Sequence, residues 1–211
     1  MLEKISMALE TFASIYEGAT KVFDDAKKDL HENYKGNLFV DKMKEAKDLY
    51  EKTIDNSRSE QWNICVSILD QVRAKAKDVI TKPIEGDFSA TLDAVKAMKE
   101  PSRKELEALA DRYKGNYFAY RAFVDALGDR LAGYYVITVD EVLEACDDLQ
   151  MMLHRCFYDG EGVTGYYYRL MLQGDYIGKY DELFTSFMEG RFDEAGTIKK
   201  DMEDSDESEG E

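Results

Sequence analysis

Eight apolar residues near the N-terminus, Ile5, Leu9, Phe12, Tyr16, Ala19, Phe23, Ala26 and Leu30, follow one another at alternating spacings of four and three. A mean spacing of 3.5 keeps all of them on one stripe of an α-helix, and four heptads of it make a seam that other helices have to cover. The spacing predicts a helix over 1–33, about 50 Å long at ~1.5 Å per residue. Gly18 sits between seam positions and weakens that helix by about 1 kcal/mol without ending it. Asn33-Tyr34-Lys35-Gly36-Asn37 is the first good stop, because Gly or Asn accepts the left-handed conformation that closes a helix.

A second helix follows through Phe39, Met43, Ala46 and Tyr50, and Ser57 with Glu60 has the form of a capping box that would start a third. Trp62, Cys65, Leu69, Val72, Ala76 and Val79 then resume the 3,4 spacing, but out of phase with the second helix, so a break near Asp55-Asn56-Ser57 is the simpler expectation. Three helices on short turns pack as an antiparallel bundle over 1–80. Residues 81–87 hold one of only two prolines in the 211-residue chain, together with Gly86, and read as a linker. Beyond it, 88–200 reads as a helical domain: a short helix near Ser89 to Lys99, a capped start at Pro101-Ser102 with Glu105, a turn at Tyr113-Lys114-Gly115-Asn116, a helix from Tyr117, and a capping box at Thr138 and Glu141. Tyr166 to Leu172 fits helix or strand. The stretch 187–195 resembles the helix-to-helix turn of a tetratricopeptide repeat; with no 34-residue period behind it, the resemblance implies a helical hairpin and nothing more. Tyr-Lys-Gly-Asn occurs at both Tyr34 and Tyr113, which is better explained as a common helix stop used twice than as a repeated unit. Asp201 to Glu211 has seven acids and no base, and is expected to be a disordered acidic tail. The fold class expected is therefore all-α.

The formal net charge is −16, and it is unevenly placed: residues 134–211 carry 20 acids against six bases, while 1–133 are nearly balanced. Such a chain repels nucleic-acid backbones and anionic membranes and favours a basic or apolar protein partner. Tyr134, Tyr135, Tyr158, Tyr166, Tyr167, Tyr168, Tyr176 and Tyr180, interleaved with acids such as Glu161 and Asp175, make a candidate partner-binding face, with tyrosine as the amphipathic anchor. The N-terminal seam could also be shared with a second copy of the chain, giving a homo-oligomer.

Chemistry-bearing motifs are weak. Gly160-Glu161-Gly162-Val163-Thr164-Gly165 matches a dinucleotide template, but a helix-periodic segment precedes it where a strand is required, and Glu161 would repel the pyrophosphate. Cys146, His154 and Cys156 have gaps of eight and two, which suit neither a helix face nor a zinc turn. Neither His31 nor His154 has a nucleophile at a telling distance along the chain. A DNA-reading helix-turn-helix over 101–131 has only Arg121 basic near the start of its second helix, and the segment is neutral overall. No cofactor, metal or catalytic residue is expected.

Three cysteines, no basic leader and no long apolar run lead to the expectation of a reduced, cytoplasmic chain that neither carries a signal peptide nor spans a membrane. The function expected is a non-enzymatic interaction protein with an assembly, scaffolding or adaptor role, such as small accessory proteins of bacteria and phage have. A rival expectation is a nucleic-acid mimic that inhibits a DNA- or RNA-binding enzyme, in the manner of anti-restriction and anti-CRISPR proteins; DNA would displace the target of a mimic but not a partner held by an apolar seam.

Overall fold

The computed structural model describes residues 1–84, 86–99, 101–128, 135–158, 163, 165–172 and 175–192. Those residues form eight helices and no strand: α1 (Glu3–Asn33), α2 (Gly36–Thr81), α3 (Phe88–Ala97), α4 (Arg103–Tyr113), α5 (Tyr117–Leu127), α6 (Val139–Tyr158), α7 (Tyr166–Leu172) and α8 (Asp175–Met188). The protein is all-α. Among the described residues no helix is long and apolar enough to cross a membrane. The expected tail, Tyr134, Glu161 and most of the glycine-rich loop lie outside the described residues.

The first turn falls where expected. The Tyr34 backbone is extended and its N–H bonds the Leu30 carbonyl, while Gly36 at φ +62° reverses the chain into α2. The second Tyr-Lys-Gly-Asn builds a different turn: Asn116 caps α5 by accepting from the Ala119 N–H at 3.1 Å, and Gly115 has no positive φ. One tetrapeptide, two geometries, is what a generic helix stop gives. The capping boxes of α4 and α6 both form. Glu105 accepts from the Ser102 N–H at 2.9 Å and Glu141 from the Thr138 N–H at 2.7 Å. The bonds from Ser102 hold the Glu105 carboxyl below its ordinary range.

The break expected at Ser57 does not occur. α2 runs unbroken for 46 residues, about 69 Å at ~1.5 Å per residue, and Ser57 lies inside it. Its buried face explains why. The inward residues Ile54, Ser57, Gln61 and Cys65 are spaced 3, 4, 4, and from Cys65 the same interval repeats through Ile68, Val72 and Ala76. An 11-residue repeat averages 3.67 residues per turn, close to the 3.6 of an undistorted helix, so the seam passes from heptads to this longer period without a break in the backbone. Ser57 and Gln61 carry the seam through the change, and 37–81 holds no Gly or Pro to interrupt it. The expected three-helix bundle over 1–80 is in fact two helices.

The compact units also differ from the expected domains. One, the hairpin unit, comprises Leu2–Ile68 and Leu149–Ile177; the other comprises Leu69–Asp148 and Gly178–Glu211 together with Met1. Thus α2 and α6 each contribute to both units. The expected linker is tied down within the second unit, because Asn116 Nδ2 donates to the Pro83 carbonyl at 2.9 Å and Arg112 pairs with Asp87 at 3.0 Å.

The hairpin unit has its core where α1 begins. Phe12 meets Phe157 at 5.1 Å and Tyr168 at 6.4 Å between ring centroids, and Tyr168 donates its hydroxyl to the Leu9 carbonyl. Three Tyr in a row at 166–168 resolve to helix because α7 packs on α1, a tertiary context that local propensity does not carry. The second unit centres on Tyr113, whose ring contacts Phe88 at 5.0 Å and Phe123 at 6.0 Å. Past α8, Gly190 at φ +76° turns the chain so that Phe192 packs on Phe187 and Tyr117. The helix that a tetratricopeptide-like hairpin would need next lies beyond the described residues.

All three cysteines are free and buried, and burial pushes the Cys65 thiol up to about 12 and that of Cys146 to about 11. Because thiolate is the reacting form, iodoacetamide at pH 8 is expected to leave the folded chain unmodified and to label three sites after denaturation; rapid native labelling would contradict the buried placement.

The Ser57 hydroxyl is buried with no hydrogen-bond partner. Ser57→Ala should therefore stabilise the protein by about 1 kcal/mol in urea unfolding, since an unsatisfied buried hydroxyl is removed. An N-capping Ser57 would give the opposite sign, a loss of about 1 kcal/mol.

Candidate functional site

Within the hairpin unit, the part of α1 and α2 between residues 13 and 53 contains a single buried residue, Leu30. The seam positions Tyr16, Ala19, Phe23 and Ala26 on α1, and Phe39, Met43, Ala46 and Tyr50 on α2, are all half-buried. The two helices meet along them: Phe23 stacks on Tyr50 at 5.1 Å, His31 packs on Phe39 at 4.9 Å, and the Thr20 hydroxyl lies 3.4 Å from that of Tyr50. An antiparallel pair covers its seam only from one side. The third helix that the sequence led one to expect here is the far half of α2 itself.

The flank of this seam is apolar in part. In heptad terms, with Phe23 and Tyr50 at a, the g positions are Ile15, Val22 and Asp29 on α1 and Lys42 and Leu49 on α2. Antiparallel helices place their g rows on the same side, and the Phe23–Tyr50 pairing puts Val22 and Leu49 at one level. They are 65% and 64% exposed. Gly18 lies one turn away with nothing within 4 Å of where a Cβ would stand, so no packing inside the chain requires a glycine there. Charge on the hairpin is balanced, with nine acids and eight lysines between 13 and 53, whereas the remainder of the chain has 35 acids and 20 bases. Ion pairs such as Lys42–Glu45 at 2.7 Å and Lys47–Glu51 at 3.3 Å join residues of one helix and contribute little to holding the pair together.

Below the open seam, the same unit gathers an aromatic and cationic cluster. Arg58 pairs with Asp55 at 2.7 Å and holds its guanidinium 5.6 Å from the Tyr158 ring centre. His154 stacks on Tyr158 at 4.9 Å, and Trp62 meets both rings edge-on at 5.7 Å. Arg58 also lines a shallow cleft of about 300 Å³ with Tyr16, Tyr50, Glu51, Ile54 and Asp55. There a hydrogen bond with Tyr50, aided by partial burial, raises the Tyr16 phenol above its ordinary range. The cluster packs α2 against the end of α6. His154 is thus committed to aromatic neighbours, and among the described residues no three His, Cys, Asp or Glu side chains are grouped to hold a metal ion.

The tyrosine-rich face expected over 134–180 is not assembled as expected. Tyr168 and Tyr180 are core residues, the first with its hydroxyl satisfied by Leu9 and the second stacked on Phe184 at 5.9 Å. A tyrosine whose ring finds apolar neighbours and whose hydroxyl finds an acceptor gains more from burial than from exposure. Tyr135 is half-buried, with its hydroxyl given to Glu141, and burial raises its phenol well above the usual range. Tyr176 is half-buried, while Tyr158 and Tyr166 are 43% and 63% exposed. Tyr134 and Glu161, and the side chains of Tyr167 and Asp175, lie outside the described residues. The seam on α1 and α2, expected as a possible contact with a second copy, is half-buried where its residues are small or amphipathic, at Tyr16, Ala19, Ala26, Ala46 and Tyr50, and buried at Ile5, Leu9 and Phe12.

Comparisons with protein-family models, with curated proteins and with solved structures each give no match.

The gradient along the seam is measurable. Phe12→Ala, at a fully buried position, is expected to cost about 3–5 kcal/mol. Phe23→Ala, at a half-buried one, should cost about half as much by area; equal losses in urea melts would contradict the open seam.

Proposed function

We propose that this protein is a non-enzymatic interaction protein, with an assembly, scaffolding or adaptor role, and that its binding element is the open α1–α2 seam. The observation that carries this reading is that Val22 and Leu49, both at g positions, are 65% and 64% exposed on the flank of a seam whose own residues are only half-buried. Helical partners bind such surfaces by laying an apolar stripe against them. The tyrosines that remain exposed, Tyr158 and Tyr166, belong to the same unit and extend the contact surface available to a partner. Three buried thiols fit a reducing, cytoplasmic setting.

The test compares full-length protein with the Val22→Glu/Leu49→Glu double variant as baits in the host lysate, each with and without excess duplex DNA. Partners are expected to be held by the parent, lost by the variant and retained in DNA. Equal capture by both baits would contradict the hairpin as the binding element, and partners released by DNA would identify the acidic surface as a nucleic-acid mimic instead.

A further inference from the structure

We infer that the open seam is closed by a second copy of this chain, two hairpins meeting face to face as a four-helix bundle. This rests on the reading of the hairpin as a binding element and names its partner. The first argument is electrostatic. The hairpin between 13 and 53 is nearly neutral, with nine acids and eight lysines, and its flank also exposes Val22 and Leu49. A surface made for a basic partner would be expected to carry acidic excess; a surface that meets its own copy has to be self-complementary, since like charges placed opposite each other are penalised.

The second argument is the order of residues along that face. The levels set by Phe23 against Tyr50 and His31 against Phe39 pair Val22 with Leu49 and, one heptad nearer the turn, Asp29 with Lys42. The g face therefore presents an apolar residue on each helix at one level and an acid beside a base at the next. A two-fold axis running along the hairpin, between two such faces, sets α1 of one copy against α2 of the other. Val22 then meets Leu49 across the interface and Asp29 meets Lys42, twice over. Every helix so placed has antiparallel neighbours on both sides, the arrangement of an up-down four-helix bundle. Gly18 fits the same geometry. A mid-helix glycine costs about 1 kcal/mol relative to alanine, nothing within the chain occupies the space over it, and at heptad position c it lies beside the g row, one turn from Val22.

The experiment is sedimentation equilibrium of the full-length chain between about 1 and 100 µM, in 0.15 M and 0.5 M NaCl. A mass of twice 24.2 kDa is expected at both salts, because the contact is mainly apolar. Val22→Glu/Leu49→Glu should sediment as a monomer with unchanged far-ultraviolet circular dichroism, as both positions are exposed. In a mixture, Val22→Cys chains should form disulfides with Leu49→Cys chains faster than either forms with itself, which tests the axis and not only the mass. A monomer throughout the concentration range, or a dimer that the double variant leaves intact, would overturn the inference. If the monomer still captures another protein through Val22 and Leu49, the functional reading stands and only the identity of the partner fails; if the double variant changes neither mass nor capture, both fail.

Discussion

Four residues on one face of α2, Ile54, Ser57, Gln61 and Cys65, determine how the rest of the chain can be arranged. They carry the buried stripe from a seven-residue to an eleven-residue period while the backbone hydrogen bonds continue. Had the chain broken at Ser57, the residues after it could have folded back to close the α1–α2 seam as a third helix. Because it does not break, those residues extend α2 rather than returning along the seam. The stiffness of one helix thus leaves a two-helix hairpin without its third partner.

The energetics divide along the hairpin accordingly. At the core end, Phe12, Phe157 and Tyr168 form an aromatic cluster that removes about 150–250 Å² of surface per ring from water, and burial on this scale is what holds α7 and the end of α6 against α1. Towards the turn, the seam offers alanines and half-covered aromatics, with ion pairs that lie within single helices. Two helices in isolation bury too little there to be strongly held, and apolar groups on the flank gain only when something covers them. The same imbalance that weakens this end as a structural element makes it suitable as a contact surface, and its near-neutral charge sets it apart from the acidic stretch 134–211.

Much of this was legible in the sequence. The α1 stripe, the stop at Tyr34 to Gly36, and the capping boxes at Ser102 and Thr138 follow from spacing and cap chemistry, which act over three or four residues. The continuity of α2 was not legible, because Ser57 with Glu60 has the same signature whether it caps a helix or lies within one; which applies depends on whether the seam on either side is buried. The tyrosines show the same limit. Tyr168 and Tyr166 are two residues apart and identical in kind, yet one is core and the other exposed, as the packing of α7 on α1 decides. The openness of the hairpin followed from both, since a seam is readable as a stripe long before its cover is known.

The most direct test of the account is native-state hydrogen exchange across residues 50–66. A continuous α2 predicts backbone amides of Asn56 to Gln61 protected to the same degree as those of Cys65 and Val66, because each N–H is bonded to a carbonyl four residues earlier. A helix start at Ser57 would leave the first amides after it without helical partners, and a fast-exchanging window at Arg58 to Glu60 between two protected stretches would contradict the single helix and the open seam that depends on it.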